Sequence, residues 1–205
     1  MKQQMFFFPW IGKDYKTGGI FGRKILVLGE SHYCGAGCEG CGTEKCAECH
    51  SFTENVLNEY LDESLPRKNW MRTFVKFERS LVNHETDWKE RKEIWNSLAF
   101  YNYLQVPMDD ARQAGTQQQY RDAEDPFFQA LDSLKPDIMI VWGYRLWDLM
   151  PASRWENGYP IQIDDYNVLH GAYFTNDGKA VTTVCVYHPS AGYSWDFWYK
   201  VIHSV

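Results

Sequence analysis

Proline is sparse in this chain of 205 residues, with 8 copies, and glycine, with 15, is not enriched. No apolar run approaches the ~20 residues needed to cross a bilayer. Disordered chains, collagen-like repeats and coiled coils have other compositions. We expect one domain, residues 1–205, that buries roughly 70% of the unfolded chain's surface. The aromatic stretch 6–10 is too short for a signal-peptide core and contains a proline. We therefore expect a cytoplasmic protein without a membrane partner.

Positive charge is also in short supply. The 21 Lys and Arg residues are outnumbered by 27 Asp and Glu residues, which gives a formal net charge of −6. Affinity for nucleic-acid phosphates comes largely from clustered Lys and Arg. The composition therefore argues against a wide nucleic-acid footprint, but it leaves room for a small basic rim around one pocket.

Cysteine is nearly absent outside one segment, the cysteine-rich loop 34–50. This loop contains two C-x2-C pairs, and such thiolates can chelate one Zn²⁺ tetrahedrally and add folding energy. We expect a structural metal at the rim of a pocket, zinc in the first instance and a 4Fe–4S cluster as the alternative. The predicted ligands are Cys38, Cys41, Cys46 and Cys49, with Cys34 and His50 as further candidates.

Apolar segments alternate between strand and helix character along the chain. Buried strands are predicted at 24–29, 97–104 and 137–143, and a hairpin is predicted from 168–175 and 180–187 around an Asn-Asp-Gly-Lys turn. Helices are predicted at 52–61, opened by a Ser51-x-x-Glu54 capping box, at an aromatic stripe from 70 to 81, at 127–134, at 144–150 and from about 195. The polar stretch 109–126 is predicted as a surface loop. This alternation indicates a three-layer α/β/α sandwich around a mainly parallel four-stranded sheet.

Polar residues follow the predicted strands at the points where they end. The first is followed by Gly29-Glu30-Ser31-His32-Tyr33, the second ends near Asn102, the third ends in Trp142-Gly143, and the last is followed by His188-Pro189-Ser190. Ligands of open α/β sheets bind at the carboxyl ends of the strands. The sequence therefore predicts one site that gathers these side chains.

These four motifs, in this order, resemble those of the uracil-DNA glycosylase superfamily. Its members carry a G-Q-D-P-Y or G-E-x-P-G motif after strand one, an Asn after strand two, W-G after strand three and H-P-S after strand four. The resemblance covers roughly residues 24 to 203, with the cysteine-rich loop as an insertion. It implies hydrolysis of the N-glycosidic bond of uracil or a related base in DNA, single-stranded or with the base flipped out.

The resemblance also implies a role for each site residue. His188 would donate a hydrogen bond to the negative charge that develops on the departing base. Asn102 would read the donor and acceptor edge of uracil, which is opposite to that of cytosine. The other substrate contacts would come from Tyr33 beside the base, Phe52 as a stacking aromatic, and Ser190 at a neighbouring phosphate.

The first motif departs from the best-known branch of that superfamily. Ser31 stands where an aspartate positions the attacking water, and a serine cannot act there as an anion. We therefore expect Ser31 to contact the substrate only. Glu30 is the only acid of the motif and is the candidate for the water. His32 replaces the usual proline, which leaves the turn less constrained. The segment 191–195 lacks the basic or wedge-like character of a DNA-intercalating loop.

Three other interpretations remain open at this stage. The first is a catalytically silent nucleotide- or nucleic-acid-binding module with the same fold. The second is a hydrolase that uses Ser31 and His188, because Gly29–Tyr33 approximates a nucleophile elbow. The third is a radical S-adenosylmethionine enzyme, whose three-cysteine spacing is matched by Cys34, Cys38 and Cys41.

Overall fold

A computed structural model describes residues 3–34, 47–110 and 113–205. The strands of the described residues are β1 (Trp10–Ile11), β2 (Ile25–Gly29), β3 (Leu98–Asn102), β4 (Ile138–Trp142), β5 (Trp155–Asn157), β6 (Gln162–Ile163), β7 (Tyr166–Asn167), β8 (His170–Phe174) and β9 (Ala180–Val186). The α-helices are α1 (Phe52–Leu61), α2 (Met71–Val82), α3 (Trp88–Asn96), α4 (Gln117–Asp122), α5 (Glu124–Leu134), α6 (Tyr144–Leu149) and α7 (Trp195–Ile202).

A central sheet of seven strands organises the fold, in the order β1-β3-β2-β4-β9-β8-β5. The four middle strands, β3, β2, β4 and β9, are parallel to one another. At one edge β1 pairs antiparallel with β3. At the other edge β8 pairs antiparallel with β9, and β5 pairs antiparallel with β8. Gly29 pairs with Asn102, and Trp142 pairs with Val186. Because these residues end their strands, the four predicted motifs emerge at one edge of the sheet.

Helices cover both faces of this sheet. Along β2, Ile25 and Val27 belong to a core cluster that includes residues of α1, α2, α3 and α7. The alternating Leu26 and Leu28 belong to a second cluster with residues of α4, α5 and α6. Every residue of β2 is buried, as a strand covered on both faces requires. The layers are thus helix, sheet and helix.

The mixed α/β class predicted from the sequence is confirmed, and the predicted sheet is enlarged. The five predicted strand segments form its four-stranded parallel centre and the hairpin strand β8, while β1 and β5 extend the edges. The prediction of a loop over 109–126 is wrong in part, because α4 and the start of α5 lie there. The predicted helix 52–61 is confirmed, but its Ser51 side chain makes no capping hydrogen bond.

No helix in the described ranges combines the length and the apolar character that crossing a membrane requires.

Candidate functional site

A cavity of about 400 Å³ lies at the carboxyl edge of the parallel strands. Six of the seven predicted catalytic and substrate-binding side chains line it: Glu30, Ser31, Tyr33, Phe52, Asn102 and His188. The seventh, Ser190, lines an adjoining cavity of about 350 Å³. The two cavities share Glu30, Tyr33, Trp142 and His188. The fold thus brings all seven predicted side chains together around one two-part site.

His188 follows β9 and is held in one tautomer by the turn that it begins. Its Nδ1 atom accepts a hydrogen bond from the backbone N–H of Ser190 at 3.2 Å and lies 2.7 Å from Ser190 Oγ. Accepting an N–H requires a lone pair on Nδ1, so the neutral ring carries its proton on Nε2. Burial lowers the pKa of His188; the charge of Arg145 acts in the same direction and that of Glu30 opposes it.

The ring of His188 therefore brings a neutral N–H donor to the site. A lowered pKa keeps the imidazole uncharged at pH 7. Nε2 has no hydrogen-bond partner among the described residues, and the ring sits edge-on to Trp142 with centroids 5.9 Å apart. The turn beside the His188 ring is made by Gly143, which has a φ of 97°. A residue with a side chain would be strained in this conformation, so glycine is required there.

Asn102 ends β3, and its amide is held against His32. Asn102 Nδ2 lies 3.0 Å from His32 Nδ1 and 3.3 Å from Nε2. The amide oxygen lies over Gly29, where an added Cβ would come within 2.2 Å of Oδ1. Gly29 is thus required for close approach, because any side chain there would displace the Asn102 amide. Oδ1 accepts no hydrogen bond from the described residues, so it is an open acceptor in the cavity.

His32 lies behind this amide and is 3% exposed. Its Nε2 atom lies 2.9 Å from Thr53 Oγ1 at the start of α1. Phe7 packs edge-on to the ring at 4.7 Å, and Phe52 packs at 4.6 Å. Burial lowers the pKa of His32 to about 3, so the ring is neutral and offers one donor and one acceptor.

Glu30 enters both cavities, but its carboxylate is already engaged. Arg145 of α6 binds it through two nitrogens, with Nε 2.8 Å from Oε1 and Nη2 2.7 Å from Oε2. The hydroxyl of Tyr120 also donates to Oε1. The hydrogen bond to Glu30 raises the pKa of Arg145, which therefore stays charged. Both carboxylate oxygens already accept hydrogen bonds from these side chains, so Glu30 has little capacity to orient a water in this arrangement.

Ser31 carries a polar atom without a partner. Its hydroxyl is buried and makes no hydrogen bond within the described part of the chain, and a buried polar group of this kind is costly unless a ligand or water satisfies it. The chain after Ser31 continues into a bridge between Tyr33 and Met108. A nucleophile elbow instead requires a helix directly after the serine, so this geometry does not favour the Ser31/His188 hydrolase.

The cysteine-rich loop falls largely outside the described residues. The predicted ligands Cys38, Cys41 and Cys46 lie outside the described residues. Cys34 and Cys49, near the two ends of the loop, are described. Over the residues that the structure describes, no three His, Cys, Asp or Glu side chains are grouped as a metal site would be. His50 Nδ1 lies 2.6 Å from the Phe6 carbonyl oxygen and so donates to it, which leaves the Nε2 lone pair that a metal would require.

Two residues of the site escaped the sequence analysis. Arg145 lies in α6, directly beyond the Trp142-Gly143 motif, and its partner Glu30 is 115 positions away. Tyr120 lies in the stretch that was predicted as a loop. Tyr120 is the one aromatic residue of the polar helix α4. Because α4 has no repeat of apolar residues, the sequence does not predict that Tyr120 is buried. The only available signal was the capping-box pattern that begins at Thr116.

Comparison of the chain with known protein-family models finds no match, and neither does comparison with curated proteins.

Proposed function

We propose that this protein is a uracil-DNA glycosylase-like enzyme that hydrolyses the N-glycosidic bond of uracil, or a related base, in DNA. The observation that carries the proposal is the shared cavity of His188 and Asn102. There a neutral imidazole and an amide line the same space, and neither the imidazole Nε2–H nor the amide Oδ1 has a hydrogen-bond partner among the described residues. Asn102 ends β3 and His188 follows β9, and both strands belong to the parallel centre of the sheet.

Breaking an N-glycosidic bond leaves negative charge on the departing base and an oxocarbenium-like sugar. A preorganised N–H donor aimed at that charge is worth about 10²–10³ in rate. His188 supplies this donor without first losing or gaining a proton, because its pKa is lowered. Asn102 pairs with the carbonyl and N–H edge of the base. The aromatic rings of Phe52 and Tyr33 line the cavity around it.

The adjoining cavity takes the phosphate next to the extruded nucleotide. It is lined by Ser190 and by Arg145, whose Nη1 donates to no described residue while Nε and Nη2 bind Glu30. In this proposal Nη1 donates to a phosphate oxygen, while Nε and Nη2 stay on Glu30. Single-stranded DNA is the expected partner, because no base pair must then be opened.

The cysteine-rich loop holds a structural zinc in this proposal. Cys38, Cys41, Cys46 and Cys49 would bind it, and His50 is in the tautomer that a ligand requires. A site with four thiolates has no open position. The metal would therefore stabilise the rim next to α1, and the chemistry would stay with His188.

Single-turnover cleavage of a uracil-containing single strand tests the proposal. His188→Ala is expected to reduce the rate about 10²–10³-fold. His203→Ala is the matched control, because His203 is exposed and lies near Ile25, at the opposite end of β2. Cleavage that is equal in His188→Ala and wild type would contradict the proposal.

One observation favours a second candidate, the catalytically silent binding module. Both oxygens of Glu30 are engaged by Arg145 and Tyr120, so the only acid of the motif is not free to act on water. This candidate predicts that the folded protein binds uracil-containing DNA, that His188→Ala weakens binding, and that no abasic site forms. The cleavage assay therefore separates the two functions.

A further inference from the structure

We propose that Arg72 and Lys76 of α2, here called the α2 rim, bind phosphates of the single strand on either side of the extruded nucleotide, and that Tyr187 stacks with one of its bases. This inference rests on the proposed function for its substrate. It concerns three residues to which the motif comparison gave no role. The observations are two cations without carboxylate partners and a half-exposed aromatic ring, all beside the two-part site.

Helix α2 forms one wall of the first cavity, where Thr73 and Phe74 line it. Lys76 is three positions beyond Thr73 and is therefore its neighbour on the helix surface. The Nζ atom of Lys76 donates to the Ala191 carbonyl at 3.3 Å, and Ala191 lines the adjoining cavity. Arg72 is exposed and stands four positions before Lys76, so these two side chains are neighbours as well. The α2 rim thus lies along the outer edge of both cavities.

The carboxylates around the site are paired, whereas the cations of the α2 rim are not. Of the described residues that line the two cavities, Glu30 and Glu59 carry the carboxylates. Glu30 pairs with Arg145, and Glu59 pairs with Lys68. The one acid of α2, Glu78, is fully buried. Within the described ranges neither cation of the α2 rim forms an ion pair, so the rim is locally positive in a chain with a formal net charge of −6.

The α2 rim has hydrogen-bond donors to offer a phosphate. The ammonium group of Lys76 has three N–H donors, and Ala191 uses one of them. The guanidinium group of Arg72 makes no hydrogen bond to a described residue, and this group can hold a phosphate through two N–H donors. The segment 191–195 contains no basic residue of its own. Lys76 therefore brings to this loop the positive charge that its sequence lacks.

A half-exposed tyrosine indicates which polyanion the α2 rim receives. Tyr187 is 42% exposed and lines the adjoining cavity together with Tyr33, which is 39% exposed. Its ring packs on those of Tyr144 and Trp198, with centroids 4.9 Å apart in both pairs. Proteins that bind single strands combine cations that follow the backbone with exposed aromatic rings on which bases stack. An acidic peptide has no base to stack, so the tyrosine favours single-stranded DNA.

The salt dependence of binding to a labelled oligothymidine strand tests the α2 rim. The logarithm of the association constant should fall linearly with the logarithm of the KCl concentration, and each phosphate contact contributes about 0.7 to the slope for a single strand. Arg72→Gln/Lys76→Gln should therefore reduce the slope by about 1.4. Arg72→Lys/Lys76→Arg keeps both charges and should retain the slope.

Lys16→Gln/Arg23→Gln is the matched control, because it removes one lysine and one arginine at the opposite edge of the sheet. Lys16 follows Tyr15, whose hydroxyl donates to the Leu134 carbonyl ahead of β4, and Arg23 lies two positions before β2. The control should keep the wild-type slope. An equal slope in the α2-rim variant and in this control overturns the inference, as does wild type that does not bind the strand.

Tyr187→Leu tests the stacking contact separately. Leucine keeps an apolar group against Tyr144 and Trp198 but lacks a ring, so the affinity should fall about tenfold, as for the loss of one stacked base, with the salt slope unchanged. Tyr187→Phe should retain the affinity. An unchanged affinity in folded Tyr187→Leu, or a polyglutamate chain that binds as tightly as the strand, overturns the assignment to single-stranded DNA.

Failure of the proposed function is recognised separately, because oligothymidine contains no uracil. If wild type binds this strand with the expected slopes but cleaves no uracil-containing strand, the glycosylase proposal fails and the α2 rim is supported. If wild type cleaves the uracil-containing strand and Arg72→Gln/Lys76→Gln leaves the slope unchanged, the α2 rim is overturned and the glycosylase proposal is not.

Discussion

Burial of a neutral histidine behind the site makes the protein's stability sensitive to acid. His32 has a pKa of about 3 in the folded chain, against 6.5 as its ordinary value. Between these two pH values the unfolded chain binds one proton more than the folded chain does. The free energy of unfolding therefore rises with pH in this window. The contribution of His32 is fully present above pH 6.5 and is progressively lost as the pH falls.

The size of this effect follows from the shift. Each pH unit inside the window corresponds to about 1.36 kcal/mol. From pH 7 to pH 5 the titration of His32 should therefore lower the free energy of unfolding by about 2 kcal/mol. His32→Asn removes the titrating group and keeps a polar side chain at this position. This variant should lose about 2 kcal/mol less stability than wild type over the same interval.

Urea denaturation at pH 7 and at pH 5 measures this difference, because the other titrating groups are common to both proteins and cancel. His203→Asn is the matched control, because it makes the same substitution at an exposed histidine outside the site, where Nδ1 contacts the Tyr199 carbonyl. If His32→Asn loses as much stability as wild type between pH 7 and pH 5, the reasoning about a buried neutral ring is refuted.

Three further predictions concern the site, the core and the loop. Gly29→Ala should reduce kcat/KM on uracil-containing DNA by about a hundredfold, because its Cβ would displace the Asn102 amide; a near-wild-type value would contradict the close approach. Burial raises the pKa of Glu78 to about 7, so Glu78→Gln should cost about 3–5 kcal/mol in urea denaturation above that pH, because it leaves the buried Arg91 guanidinium without its carboxylate; a loss below about 1 kcal/mol would contradict this. Elemental analysis should find about one zinc per chain, bound by loop 34–50; a brown protein that contains iron would indicate the cluster instead.

The parallel centre of the fold was predictable because its signal is local. Strands β2 and β4 are continuous apolar runs that end in glycine, the pattern of a strand buried on both faces. The Asn-Asp-Gly-Lys turn likewise places the hairpin of β8 and β9. Edge strands β1 and β5 have two and three residues. Such short strands carry no measurable period, and pairing with a neighbour is what defines them.

The sequence predicts which residues meet at the site, but it does not predict most of the hydrogen bonds and ion pairs that they form there. Parallel strands end at one edge, so Asn102 and His188 could be placed near each other from the motifs alone. The partners of Glu30 could not be predicted, because Arg145 and Tyr120 reach it from elements 115 and 90 positions away. His32 attracted attention only as a missing proline. Its buried bond to Thr53 requires α1 to pack against the strand end, which no local pattern encodes.

Titration of ¹⁵N-labelled protein with free uracil examines whether His188 and Asn102 face one cavity that receives the base. The Nε2–H signal of His188 and the side-chain amide signals of Asn102 should shift together and saturate at the same uracil concentration. Cytosine at equal concentration should move neither. If uracil leaves both signals in place, or moves only one of them, the two side chains do not share a base-binding cavity.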